Sequence, residues 1–316
     1  MFVWTAELEA SCPPVRGQGA PVVPAPLADK KLASAAASVK ATGYTPRASL
    51  VALFETGKGD RADEADALLL AATTKGGAAR EALVHAGVDR WFDRHGAAGA
   101  LEIFSLFGTW VPLEGVFDAD MRAPAAARVR HHLAHAADYE AALAVAVGLG
   151  DRPQWVRARY NATREVLAYL FPDHRPLFDA AVDRLISESW TTTYLLGAVM
   201  SADDVTRIGA ARVGYGDWDR HAVHVARVSR EAGLVHLAEY TSRSTSLVGV
   251  MRALTAYVSP EAATSLAQYL ECKDKAAPGI LRAYFAAHPE LAAAAVQPYV
   301  TSKKKKLREL ATSLIA

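Results

Sequence analysis

Two stretches of the chain, REVLAYLFP at residues 164–172 and RALTAYVSP at residues 252–260, share the pattern R-x-x-x-A-Y-x-x-P. The copies begin 88 residues apart, and a shorter version, RAYFAAHP at 282–289, begins 30 residues after the second. In each copy an apolar run with helical spacing ends at a proline, a residue that favours the first turn of a helix. The motif therefore predicts helices joined by short turns, with proline opening the next helix.

Nearly every other segment beyond residue 27 is also predicted to be helical, because Pro, Gly or Thr separates short apolar-periodic runs. Alternating β-branched residues are scarce, apart from a weak run at 191–194. The sequence therefore predicts an all-α fold. The expected helices cover 31–40, 46–55, 62–73, 78–85, 87–95, 97–107, 124–135, 139–147, 153–170, 175–188, 203–213, 217–230, 247–258, 260–270, 278–287, 289–299 and 303–315.

Helix pairs that meet at a proline and recur at about 30 residues are typical of HEAT-like α-α superhelices. Alanine-rich helices suit such stacks because small side chains let helix axes approach closely. We therefore expect a solenoid of stacked helical hairpins over residues 27–316, with an irregular helical bundle as the alternative. Residues 1–26 are expected to form an extended arm because they hold five prolines at positions 13, 14, 21, 24 and 26.

Charge and cysteine content exclude several classes of protein. The 35 Lys and Arg residues nearly balance 34 Asp and Glu residues, whereas proteins that coat nucleic acid usually carry a broad basic excess. Cys12 and Cys272 match no zinc spacing and indicate free thiols in a reducing compartment. Since no basic signal-peptide region and no run of about 18 uncharged apolar residues occurs, we expect a cytoplasmic protein without a membrane span.

Three further segments carry recognisable motifs: 89–102 has the pattern W-x-x-x-x-G-x-x-x-A-L-E, residues 171–173 read FPD, and residues 284–292 read YFAAHPELA. These motifs resemble those of the bacterial MolR-like, WGR-associated proteins, a family of unknown function. The resemblance covers about residues 60–316 and implies a helical-repeat scaffold. It carries over no catalytic residue and no cofactor.

The strongest charge run in the sequence is Lys303, Lys304, Lys305 and Lys306, followed by Arg308. It falls at the start of the last predicted helix, where the helix dipole disfavours cations. Such a run suits an acidic partner, a nucleic-acid backbone or a membrane surface. The simpler interpretation is a solvated face on a terminal repeat, which needs a polar exterior.

A second group of candidate partner-binding residues is aromatic and basic. It consists of Trp155, Arg157 and Tyr160 on one predicted helix face, and Trp218 in the stretch GYGDWDRH at 214–221. In a DNA glycosylase of the HEAT-like type, such side chains would hold a nucleotide in a concave groove. The simpler interpretation is that the aromatic rings are core anchors of the repeats.

Metal, phosphate and nucleophile motifs are weak. His131 and His135 share a predicted helix face at i, i+4, but a third ligand is not evident. The glycine-rich stretches at 57–59 and 96–99 lack the strand and the Lys-Ser/Thr pair of a phosphate loop. We therefore predict no metal, no cofactor and no catalytic residue.

These observations favour a non-enzymatic helical-repeat scaffold that binds a macromolecule, most simply another protein, along its concave surface. The alternative is a nucleic-acid-binding or glycosylase-like HEAT-repeat protein that uses the basic run and the groove aromatics. An arginine strip along one ridge would favour the alternative, and mixed charges with apolar residues would favour the scaffold.

Overall fold

The structure, a computed structural model, describes residues 1–31, 33–34, 60–73, 75–107, 119–151, 164–188, 194–209, 215–243 and 248–315. These residues form fifteen α-helices and no strand element, so the all-α prediction is confirmed for the described part. One isolated antiparallel bridge joins Phe2 to Tyr257. The predicted helices at 31–40 and 46–55 and the weak run at 191–193 lie outside the described residues, except for a few end positions.

The helices are numbered in chain order. They are α1 (Ala6–Ala10), α2 (Arg61–Thr73), α3 (Gly77–Leu106), α4 (Ala119–Leu133), α5 (Tyr139–Gly150), α6 (Arg164–Leu170), α7 (Arg175–Glu188), α8 (Ala202–Ile208), α9 (Tyr215–Ser229), α10 (Gly233–Arg243), α11 (Val248–Leu254), α12 (Pro260–Ala267), α13 (Ala277–Ala287), α14 (Pro289–Val300) and α15 (Lys305–Ser313).

The chain divides into two compact units, and the division differs from the predicted arm and domain. The first unit is Pro14–Ala180, and the second unit is Met1–Pro13 together with Ala181–Ala316. The predicted arm of residues 1–26 is therefore split between the units. It is also not extended throughout, because Thr5 caps α1 by accepting a hydrogen bond from the Leu8 amide.

Helix α3 is the centre of the first unit and packs against α2, α4 and α5. It is kinked at Gly96, whose φ of +63° lies in the left-handed region that favours glycine. A Cβ atom at Gly87 would lie 2.2 Å from the Leu68 side chain, so a glycine at this position lets α2 approach α3 closely. Trp91 and Phe104 are fully buried on α3 and fill the core between these helices.

The second unit has a regular packing order. Helices α9, α10 and α11 each contact the next two helices along the chain, and α12 contacts α14. The closest approach is between α9 and α11, because a Cβ atom at Gly249 would lie 1.7 Å from the Asp219 carbonyl oxygen. This order is the local pattern that successive helical hairpins produce when they stack.

The two copies of the repeated motif have similar junctions. Tyr169 and Tyr257 are both buried, as the alignment of the copies predicts, although Tyr169 lies in the last turn of α6 and Tyr257 lies three residues beyond the end of α11. The carbonyl oxygen of Tyr169 accepts a hydrogen bond from Arg130 Nη1 at 2.9 Å. The carbonyl oxygen of Tyr257 accepts one from the Tyr284 hydroxyl at 2.9 Å. A buried donor from another helix therefore closes both junctions, although its chemistry differs.

The prolines that were predicted to open helices behave in two ways. Pro260 and Pro289 are the first residues of α12 and α14, as predicted. Pro172 instead precedes the start of α7 by three residues. Pro124 lies inside α4 and not in its first turn, because the helix already begins at Ala119.

Helix α10 was not predicted from the sequence. Its buried residues Leu237, Tyr240 and Thr241 have the i, i+3, i+4 spacing of a helix face. The helix follows the short 3-10 turn Arg230–Ala232 and begins at Gly233, a weak helix former. Burial of this face against α9, α11 and α12 outweighs the weak start.

Candidate functional site

The predicted basic run lies on the surface of the second unit. Lys303, Lys304, Lys305, Lys306 and Arg308 are all exposed, and we refer to them as the lysine surface. Helix α15 begins at Lys305, so these residues surround its first turn. The orientation follows from the sequence, because the buried Leu307, Ala311 and Leu314 recur at i, i+4 and i+7 and turn the charged residues outward.

Some of the charge on the lysine surface is paired locally. Lys304 Nζ lies 3.1 Å from Glu271 Oε1, and Lys305 Nζ lies 3.8 Å from Glu309 Oε1. Arg308 donates from Nη1 to the Ser302 carbonyl oxygen at 3.0 Å. All these side chains are largely exposed, so water and salt weaken the ion pairs.

Lys303 and Lys306 have no ion pair within the part of the chain that the structure describes. The loop after Glu271 adds two exposed cations, Lys273 and Lys275, beside the position that Lys304 contacts. Helix α15 has no side-chain cap at its N-terminus, so its dipole adds positive potential there. The second unit therefore presents a local positive field on a chain whose overall charge is only +1.

The aromatic candidates are not brought into this surface. Trp155, Arg157 and Tyr160 lie outside the described residues. Trp218 is 0% exposed and packs on Tyr240 with ring centroids 4.2 Å apart. Trp218 is therefore corrected from a candidate contact residue to a core residue, because a fully buried indole cannot reach a partner.

The neighbouring Asp219 links two helices. Its Oδ1 accepts a hydrogen bond from the Gly249 amide at 2.6 Å, which ties α9 to the start of α11. The close approach of Gly249 makes this bond possible, since a side chain at that position would collide with the Asp219 backbone. The side chains of Trp218 and Asp219 therefore make contacts within the second unit.

His131 lies in the last turn of α4, and His135 lies in the turn that follows this helix. His131 Nε2 lies 2.9 Å from the carbonyl oxygen of Ala20, to which it donates, and the rings of His131 and His135 have centroids 6.2 Å apart. Within the described ranges, no group of three His, Cys, Asp or Glu side chains has metal-binding geometry. His131 instead holds the N-terminal segment of the first unit.

A buried charge cluster centred on Asp89 of α3 was not predicted from the sequence. Asp89 is 1% exposed, and its carboxylate accepts hydrogen bonds from Arg128 Nε at 2.7 Å, His132 Nε2 at 2.7 Å and the Ala25 amide at 2.9 Å. Burial alone would raise the pKa of Asp89, but the hydrogen bonds from His132, Arg128 and Ala25 hold it well below its usual range. This carboxylate is therefore charged at neutral pH and holds α3 and α4 together.

A second buried ion pair joins α2 to α3. Glu64 of α2 accepts hydrogen bonds from Arg90 Nε at 3.1 Å and from Arg94 Nη1 at 2.8 Å. Glu64 and Arg90 are both buried, and Arg90 also contacts Asp29. The only sequence signal for these buried ion pairs is the presence of charged residues at helix positions that face the core.

An open cleft of about 450 Å³ lies in the first unit. Its polar wall is the ion pair of Arg61 and Glu102 with Ser105 beside it, and its apolar wall includes Leu106, Val145 and Leu149. No candidate from the sequence analysis lines this cleft. It adds no residue to the lysine surface.

Comparison of the chain with protein-family models, with curated proteins and with solved structures gave no match. The MolR-like resemblance and the HEAT-like superhelix therefore remain predictions. None of the helices that the structure describes is both long and apolar enough to cross a membrane.

Proposed function

We propose that this protein is a helical-repeat scaffold that binds an acidic partner protein through the lysine surface. The packing order within the second unit supports the repeat component of the proposal, since α9, α10 and α11 each contact their next and next-but-one neighbours. Stacked hairpins of this kind produce extended faces that bind macromolecules. The HEAT-like superhelix is part of the same proposal.

The observation that carries the partner component is the contrast between buried and exposed charges. Asp89 and Glu64 are occupied by internal cations, so they act as ties within the first unit. Lys303 and Lys306 extend from the second unit without an ion pair in its described residues. Cations near a helix N-terminus are disfavoured by about 0.3–1 kcal/mol each. A bound anion would offset this cost.

A protein partner fits this surface better than a nucleic-acid backbone. Glu271, Asp274 and Glu309 lie among the cations, and their carboxylates repel a continuous row of phosphates. A peptide with spaced acidic side chains can instead meet Lys303 and Lys306 individually. Nucleic-acid binding is the second candidate because the lysine run alone would suit phosphates.

The experiment compares two variants that lose the same charge. In the first, Lys303, Lys304, Lys305 and Lys306 are changed to Gln. The matched control carries Gln at four exposed cations elsewhere, namely Lys30, Lys31, Lys75 and Arg252. Fluorescence anisotropy with labelled poly-glutamate at ~150 mM salt should show binding to the wild type and the control, and at least about tenfold weaker binding to the lysine variant.

Three results are informative. Equal poly-glutamate binding by the two variants would contradict a specific lysine surface. Tight binding of duplex DNA that weakens steeply with salt, at a slope of about 0.9 per phosphate, would support the second candidate if the lysine variant lost it. Urea unfolding should show that either variant changes stability by less than about 0.5 kcal/mol, so a loss of binding would not reflect misfolding.

A further inference from the structure

Residues 14–29 lie against α3 and α4 of the first unit, with a turn at 16–17 and no regular secondary structure over 20–28, and we refer to them as the strap. It contains four prolines, at positions 14, 21, 24 and 26. Most of its side chains are exposed, including Val23 at 86%, and Leu27 is its only buried side chain. The strap is therefore held by something other than burial of its side chains.

The helices hold the strap mainly by its backbone. Three backbone amides of the strap, those of Gly17, Ala25 and Leu27, donate to the helices, and four backbone carbonyl oxygens accept from them. The contacts are Gly17 N to Ala134 O at 2.8 Å, Ala25 N to Asp89 Oδ2 at 2.9 Å, Leu27 N to Ala86 O at 2.9 Å, Arg130 Nε to Pro14 O at 2.9 Å, His131 Nε2 to Ala20 O at 2.9 Å, Arg128 Nη2 to Val23 O at 3.4 Å and Arg90 Nη1 to Leu27 O at 3.3 Å.

Two strap side chains add charged contacts at its ends. Arg16 lies over the Tyr139 ring at 4.0 Å and pairs with Glu140 at 2.9 Å and Asp173 at 3.7 Å. Asp29 pairs with Arg90. Between these ends, the helices contact mainly the backbone of the strap, so recognition depends on the path of the backbone more than on side-chain identity.

The positions of the prolines match this pattern of contacts. The surface of the first unit that contacts the strap backbone is referred to as the groove. Each proline lacks a backbone N–H, and the groove accepts hydrogen bonds only from the amides of Gly17, Ala25 and Leu27. Proline also restricts the free peptide to extended conformations, which lowers the entropy lost on binding. The groove therefore fits a proline-rich extended peptide in one register.

The groove itself is built from buried charged side chains. Asp89 and Arg130 are each 1% exposed, and Arg90 is also buried. Their polar atoms point at the backbone of the strap, in the way that a peptide-binding site presents donors and acceptors to its ligand. Buried groups of this kind need a partner at all times, so an occupant must fill the groove.

We propose that this groove is a binding site for a proline-rich extended segment of a partner protein and that the strap is its intramolecular competitor. The partner segment has N–H donors where Gly17, Ala25 and Leu27 have them, an apolar side chain at the Leu27 position and a basic side chain at the Arg16 position. Being tethered, the strap competes at an effective concentration in the millimolar range. This inference is independent of the lysine surface, which lies in the other unit.

The test uses the full chain with a weakened strap and a labelled synthetic peptide of residues 13–29. Ala25→Pro removes the backbone N–H that donates to Asp89. Because the Ala25 side chain is exposed, the substitution does not disturb the core. Fluorescence anisotropy should show at least about tenfold tighter peptide binding to this variant than to the wild type. Leu27→Ala, which removes the apolar anchor, is the second variant and should have the same effect.

The peptide supplies the specific controls. A peptide with the Ala25→Pro change should bind the weakened chain at least about tenfold less tightly, whereas a Val23→Ala peptide should bind as well as the parent, because that side chain is exposed. Adding Arg128→Gln to the weakened chain should also reduce binding. The proposal is overturned if neither strap variant, with a wild-type circular dichroism spectrum, binds the peptide more tightly than the wild type. It is equally overturned if the Ala25→Pro peptide binds as well as the parent.

Discussion

The two units pair their buried polar groups differently. The first unit buries full charges, with Asp89 and Glu64 held by arginines from neighbouring helices. The second unit relies more on neutral hydroxyl groups, and the buried Tyr257 donates to the Arg230 carbonyl oxygen at 2.7 Å while Tyr284 donates to Tyr257. Buried ion pairs therefore join helices in the first unit, and tyrosine hydroxyl groups join chain segments in the second.

The difference matters because the two kinds of group fail in different ways. A buried charge that loses its partner keeps the full desolvation cost. Removing one member of an ion pair should therefore lower the free energy of unfolding of the first unit strongly. A neutral hydroxyl costs less to leave unpaired. The first unit should therefore be the more sensitive to single substitutions of polar residues and to acid.

The largest expected effect is that of Asp89→Asn. This change removes the charge that Arg128 and His132 share and should lower the free energy of unfolding by about 3 kcal/mol, as breaking a buried pair does. Urea unfolding followed by circular dichroism measures the change. Asp93→Asn on the same helix is the control, since Asp93 is exposed and should cost less than about 0.5 kcal/mol. Equal effects would show that the cluster contributes no stability.

The second expected effect is a pH dependence of opposite sign in the two units. The folded-state pKa of Asp89 lies below its unfolded value, so its stabilisation is present at neutral pH and is lost as the pH falls below about 4. The cost of Asp89→Asn in urea unfolding should therefore shrink in acid. A cost that stayed constant down to pH 3 would show that the carboxylate is not a charged tie.

The alkaline side of the same comparison concerns the second unit. Burial raises the pKa of Tyr269 and that of Tyr284 to about 12, above the unfolded value of about 10. Their stabilisation is therefore present below pH 10 and is lost as the pH rises to about 12. Hydrogen exchange should show that the helices around these residues lose protection as the pH rises. Tyr269→Phe should reduce this alkaline loss of protection. An unchanged alkaline profile in Tyr269→Phe would contradict this assignment.

The smallest expected effect is that of Tyr257→Phe. The ring stays in place, but the Arg230 carbonyl oxygen loses its donor, and we expect a loss of about 1 kcal/mol in the free energy of unfolding. Tyr299→Phe is the control, because the described residues include no hydrogen-bond partner for that hydroxyl group. A loss as large as that of Asp89→Asn would remove the distinction between the charged and neutral junctions.

Much of the secondary structure could be predicted from local pattern. Helix α7 has the predicted bounds, and α2, α13 and α14 differ from their predicted bounds by one residue at an end. Apolar periodicity and proline at the first helical position act within a few residues, so they can be read from the chain alone. Helix α10 was missed because its stability comes from burial against other helices and not from a strong start.

The candidate sites divide along the same line. The lysine surface was predictable because an unbroken run of cations is visible in the sequence and the intervening Leu307 fixes its outward orientation. The Asp89 cluster was not predictable, since its members lie up to 43 residues apart and even an amide of the strap takes part. Trp218 was ambiguous, and only its position between helices decided that it is a core residue.

By itself, the sequence determined the all-helical class, most helix positions and the outward-facing lysines, because each depends on local periodicity or on a contiguous charge run. Only the tertiary structure decided the division into two units, the split of the N-terminal arm at Pro13 and the groove that holds the strap. These features depend on pairs of groups distant in the chain, such as Arg130 and Pro14. Which buried group meets which partner is fixed by the packing of helices, and no local pattern contains that information.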